Sequence, residues 1–162
     1  MRLFFILSVL ALAVGCSKTP PVQPGAIPAG AVFKVAFEEK VVATVVGGQS
    51  KSLAPTPLRL KVVGYDDWTK SYRDAQCSVT AEAYGSLAAK RASVHSLSLT
   101  CTLDGGKTLA IPLQAYVADD DDGKAGIKGK VVGQGTSHLI PAIEIPAGRK
   151  ASLVVVKGVA AS

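Results

Sequence analysis

Residues 77–101 read CSVTAEAYGSLAAKRASVHSLSLTC. Cys77, Val79, Ala81 and Ala83 alternate with Ser78, Thr80 and Glu82. Further on, His95, Leu97, Leu99 and Cys101 alternate with Ser96, Ser98 and Thr100. A period of two marks a strand with one apolar and one wet face. Between the halves, Gly85–Lys90 breaks the alternation and reads as a hairpin turn. Both thiols fall in the apolar phase, Cys77 with Val79 and Ala81, Cys101 with Leu97 and Leu99.

The same rhythm runs outward from this hairpin. Upstream it appears at Phe33, Val35 and Phe37, and at Leu58, Leu60 and Val62. Downstream it appears at Leu109, Ile111 and Leu113, then at Ile127 and Val131. Val41–Val46 and Leu153–Val156 are denser runs and are expected to be buried on both faces. Gly47-Gly48, Ala54–Pro57, Asp104–Gly106, Asp122-Gly123 and Gly133–Gly135 punctuate the strands. Ile27-Pro28-Ala29-Gly30 and Ile145-Pro146-Ala147-Gly148 are matching entries, each ahead of a β-like run. No amphipathic helix of three turns is present; Tyr65–Ala75 has room for one short helical turn. The expected fold is all-β, a small barrel or sandwich of about eight mostly antiparallel strands.

Composition agrees. The chain has 162 residues, with 48% hydrophobic and 19% charged, which excludes long disorder. The formal net charge of +6 is scattered and does not by itself indicate nucleic acid. Arg59, Lys61, Lys90, Arg91, Lys128, Lys130, Arg149 and Lys150 are read as a solubilising polar face.

Residues 1–16, MRLFFILSVLALAVGC, decide the compartment. Arg2 precedes a run from Leu3 to Val14 that is apolar but for Ser8, too short to span a bilayer and right for a secretory signal. The run ends in Ala13-Val14-Gly15-Cys16, which resembles a bacterial lipobox. Residues 1–15 are therefore read as a lipoprotein signal peptide and Cys16 as the lipidated residue. Ser17, rather than Asp, points to the outer membrane by the sorting rule of enteric bacteria. Residues 16–31, with four prolines, form an extended tether, and 32–162 the barrel domain, in the periplasm. With Cys16 consumed, Cys77 and Cys101 remain as an even pair in an oxidising compartment and are expected to form a disulfide.

Several segments together resemble the TraB family of conjugation proteins. Cys77 to Leu87, with Tyr84-Gly85-Ser86, is followed by Lys90-Arg91 and by Leu97-Ser98-Leu99-Thr100-Cys101. Asp122-Gly123-Lys124-Ala125-Gly126-Ile127-Lys128-Gly129 is the most specific segment, and Pro141-Ala142-Ile143-Glu144-Ile145-Pro146-Ala147-Gly148-Arg149 closes the pattern. The resemblance covers roughly residues 27–160 in the family's order. It implies a periplasmic barrel in the outer-membrane core complex of a type IV secretion system, without catalytic residues. Implied partners are TraB-type, TraK-type and lipoprotein ring subunits, with an oligomeric ring as the working form. Two family parts have no counterpart: the long N-terminal region with an inner-membrane helix, and a helical insertion between late strands. Gly135-Thr136-Ser137 instead runs almost directly into His138-Leu139-Ile140.

Other chemistry is weak. Asp119–Asp122 lacks the alternating ligands of a calcium loop and reads as a solvated hairpin tip. His95 and His138 are isolated, and His95 is placed on the apolar face. No Gly-x-Ser-x-Gly elbow or phosphate loop occurs. Tyr65, Trp68 and Tyr72 cluster in one segment, either as a partner dock or as a plug over a barrel end. No enzyme, cofactor, metal or sequence-specific nucleic-acid contact is expected. The leading functional expectation is a structural lipoprotein of a conjugation machine; the alternative is a lipid-anchored regulatory or exclusion protein that binds the machine.

Overall fold

A computed structural model describes residues 25–45, 54–133 and 140–160. The strands are β1 (Val32–Phe37), β2 (Val41–Thr44), β3 (Thr56–Tyr65), β4 (Gln76–Ser86), β5 (Arg91–Thr102), β6 (Thr108–Pro112), β7 (Gln114–Asp119), β8 (Ile127–Lys128), β9 (Lys130–Val132), β10 (Ala142–Ile145) and β11 (Lys150–Lys157). One 3-10 turn, Lys70–Tyr72, lies between β3 and β4. The all-β expectation holds, with eleven strands among the described residues where the sequence pattern predicts about eight.

Six strands close a barrel in the order β1-β3-β4-β5-β7-β11, every neighbour antiparallel, with β11 returning to β1. Closure removes the free edges that an open sheet would expose. The inner face is filled by the period-two apolar phase: Phe33, Val35, Phe37, Leu60, Val79, Val117 and Leu153 are buried. Ile27 is also buried and bridges Val159, so the packed body starts before residue 32. The two Ile-Pro-Ala-Gly entries behave alike. Gly30 and Gly148 both take positive φ just before β1 and β11, and those strands lie side by side.

One end of the barrel holds the start of β1, the end of β3 and the Cys77–Cys101 pair. Tyr72 is buried there, and its ring meets Phe33 edge-on at 6.0 Å. The opposite end is covered by a small sheet, β2-β10-β9, whose Val41, Ala43, Ile143 and Ile145 join the main core.

Two expectations need correction. Val41–Val46 and Leu153–Val156 are not buried on both faces: Val42 is 39% and Val156 60% exposed, while Val41, Leu153 and Val155 point inward; Val46 lies outside the described residues. Nor do His95 and Leu97 share the apolar face with Leu99. Thr80 faces Ser98 but Ala81 faces Ser96, so Leu97 is the extra residue of a bulge. The bulge shifts the phase of β5 by one. Ser96 turns inward, and His95 and Leu97 turn out.

The outward edge of β5 is shared by three pieces: β6 pairs with its C-terminal half, β7 touches it at His95–Tyr116, and β8 pairs with Arg91-Ala92. Where β6 hands over to β7, the buried Ser96 hydroxyl donates to the Leu113 carbonyl at 2.6 Å and accepts from the Ala115 N–H at 2.8 Å. Those backbone groups would otherwise lose their ladder partners at the kink.

Candidate functional surface and a carboxylate clasp

Asp120, Asp121 and Asp122 form the exposed tip that their composition suggests, but Asp119 does not. Asp119 continues the inward phase of Ala115 and Val117 on β7 and is only 1% exposed, at the barrel mouth. A buried carboxylate must be paired and hydrogen-bonded to persist. Arg149, just ahead of β11, donates from one Nη to Asp119 and to Asp121, each at 2.6 Å. The backbone N–H groups of Lys128 and Asp121 also donate to Asp119, at 2.9 and 3.1 Å. Arg91 forks onto both oxygens of Asp122 at 2.7 and 2.9 Å and reaches the carbonyls of Ala125 and Gly126. Lys34 Nζ and the Ser152 hydroxyl share Asp120. Arg91 and Arg149, expected among the solubilising charges, thus clasp β5 and β11 to the loop after β7.

The glycines of the Asp-Gly-Lys-Ala-Gly-Ile-Lys-Gly segment make room for this clasp. Gly126 has φ +77, and a Cβ there would meet the Ala92 carbonyl oxygen at 2.8 Å. A Cβ at Gly129 would stand 2.5 Å from the Glu144 oxygen and from Ile143. Both positions therefore demand close backbone approach.

The carboxyls of Asp119, Asp120 and Asp122 all titrate low. Burial, the largest single influence on Asp119, opposes its charge, but the Lys128 and Asp121 N–H groups and Arg149 together outweigh it. At Asp120, burial is likewise outweighed by Ser152 and Lys34. The Arg91 guanidinium, then the Lys124 N–H, hold Asp122 at about 2. A carboxylate held low in the fold contributes stability that is complete above its unfolded pKa and lost as pH falls through its folded one. The melting temperature should therefore stay level from neutral down to about pH 4 and fall steeply below it. Circular dichroism melts across that range check this, and Arg91→Gln should flatten the lowest part of the fall.

The Tyr65, Trp68 and Tyr72 segment divides its roles. Tyr72 plugs the barrel end, and its hydroxyl donates to the Gly25 carbonyl at 2.9 Å. Tyr65 packs edge-on to Phe33 at 6.1 Å. Trp68 instead projects outward, 67% exposed. Asp66 holds this loop: one oxygen accepts from the N–H groups of Trp68 and Thr69, and the other from the Val32 N–H at 2.6 Å. Burial works against the Asp66 charge, yet these donors keep its pKa below the ordinary value. Asp66-x-x-Thr69 is a local side-chain capping pattern that the sequence displays but that aromatic clustering obscures.

On the outer wall a row of apolar and aromatic side chains crosses five strands. Val32 faces Val154, Val154 faces Tyr116, and Tyr116 faces His95. Tyr84 lies edge-on to His95 at 6.4 Å, and Leu97 is half exposed beside them. Elsewhere, a cleft of about 390 Å³ between the entry to β2 and the start of β3 has Glu38, Glu39, Lys40 and Arg59 around Val41 and Leu58. It lies outside the barrel interior, which side chains fill. Among the described residues no cluster of three or more potential metal ligands occurs, and no helix is long and apolar enough to cross a membrane.

Cys77 and Cys101 are register partners on β4 and β5 and are bonded, with an S–S distance of 2.06 Å. Cys16, the signal segment, His138 and the Gly135–Ser137 junction lie outside the described residues.

No protein-family model matches the chain. Protein TraB of Escherichia coli (strain K12) is 34% identical to it over 110 residues, which is 65% of this chain and 22% of TraB. The chain is TraB-like over that stretch and corresponds to less than a quarter of the relative's length.

Proposed function

We propose that this protein is a structural lipoprotein of a conjugative type IV secretion apparatus. In this reading its diacylated Cys16 anchors it to the outer membrane, and its barrel stands in the periplasm. There it packs into or beside the core ring built by longer TraB-type relatives, with TraK-type and lipoprotein ring subunits as neighbours. Its work is contact between subunits, not turnover.

The match to TraB carries this reading. The outer-wall row from Val32 to Tyr84 supports it, because a ring subunit must hold its neighbours by lateral packing. The filled barrel interior is consistent with a building block and leaves little room for a ligand among the inward side chains.

Affinity purification after mild detergent extraction tests the proposal. Recovery of TraB-type and lipoprotein ring subunits is the expected result; a clean monomer would count against it. Deletion should abolish transfer from the donor. If donation survived and the cell became a better recipient, an exclusion role would replace the structural one.

A further inference from the structure

The barrel has two chemically different ends, and the chain leaves from only one of them. Gly25 is held at the Tyr72 end by the Tyr72 hydroxyl, and Ile27 is paired there with Val159. Eight residues separate Cys16 from Gly25, nine Cα–Cα steps in all. A chain of that length reaches at most about 30 Å even when fully extended. A lipid on Cys16 would therefore keep the Tyr72 end nearer the membrane than the end covered by β2, β9 and β10.

That same end carries exposed apolar side chains. Trp68 projects from the loop that Asp66 latches to Val32. Val63 emerges at the bulge of β3 against β1, 47% exposed, and Val156 emerges near the end of β11. An isolated Trp on a polar, latched loop contributes nothing to the core. Trp does, however, partition strongly into the headgroup layer, where its ring meets acyl carbon and its N–H meets water. Nearby charges are of both signs: Lys70 lies 3.9 Å from Asp67, and Arg73 and Asp74 follow. Attraction to this surface would be apolar rather than electrostatic.

We infer that the Tyr72 end of the barrel rests on the membrane interface, with Trp68 inserted among phospholipid headgroups and Val63 and Val156 beside it. This rests on the lipoprotein reading above and adds an orientation to it. The tether then limits the distance, and Trp68 fixes which face of the barrel meets the bilayer. The β2-β10-β9 end is left pointing away, open to other subunits.

Trp68 is the sole tryptophan, so its emission reports this directly. The full chain would be purified from envelopes, its Cys16 adduct weighed by mass spectrometry, and the protein reconstituted in phosphatidylethanolamine–phosphatidylglycerol vesicles. The expected result is blue-shifted emission. Lipids brominated near the headgroup should remove most of it, aqueous acrylamide should spare it, and added salt should change neither result. In a Trp68→Phe, Val42→Trp double variant the probe sits at the far end, and the two quenchers should exchange roles. An acylated chain whose Trp68 is open to acrylamide and untouched by brominated lipid overturns this inference alone. Shielding from both quenchers indicates a protein neighbour over Trp68 and also overturns it. An unacylated Cys16 overturns both the inference and the lipoprotein reading.

Discussion

Asp119→Asn should lower the stability of the folded barrel by about 3 kcal/mol, the cost of breaking a buried ion pair from one side. The carboxylate is almost wholly enclosed and accepts from Arg149, Lys128 and Asp121, with Arg91 3.7 Å away. Asn keeps the shape but has one acceptor oxygen where the carboxylate has two, and no charge. Arg149 would keep Asp121, which is largely exposed and a weaker partner. A urea titration reads the loss as a lower midpoint with an unchanged slope. Asp121→Asn is the contrast, and its effect should stay within about 0.5 kcal/mol. Equal effects from the two variants would show that burial does not decide the strength of the clasp.

Reduction of the Cys77–Cys101 bridge, or the double change to Ala, should cost about 3 kcal/mol. The bond closes a loop of 24 residues' separation, and the chain-entropy relation gives a value of that size. The bridge joins register partners inside the longest hairpin, so the reduced protein should keep the same fold and unfold at lower denaturant. Nearly equal midpoints with and without reductant would mean that β4 and β5 are already held close in the unfolded ensemble.

Much of the architecture was legible because barrel strands state their two faces residue by residue. Phe33, Val35 and Phe37, or Val79, Ala81 and Ala83, announce the inner wall in the sequence itself. The bulge at Leu97 was not legible, since His-x-Leu-x-Leu alternates without a break. The extra residue shows only when β4 is laid beside β5, which is a property of pairing rather than of either strand. The clasp was hidden for a similar reason. Its members are spread over Arg91, Asp119–Asp122 and Arg149, and composition alone makes four consecutive aspartates look like a solvated turn. What was visible was the glycine spacing through Gly126 and Gly129, whose crowding explains why that segment stands out. The dense Val41–Val46 and Leu153–Val156 runs misled for another reason: valine favours extended backbone whether or not water lies on one side.

The handover at Ser96 has a dynamic consequence. Around the cylinder, β5 and β7 touch at one register pair, while β4 and β5 run together along nearly their whole length. Thermal breathing should therefore begin as a slit between β5 and β7, with the other five seams still zipped. The single hydroxyl bridging that slit sets how often it gapes, and the Ala115 amide that it guards should be among the first in the wall to trade its proton for deuterium.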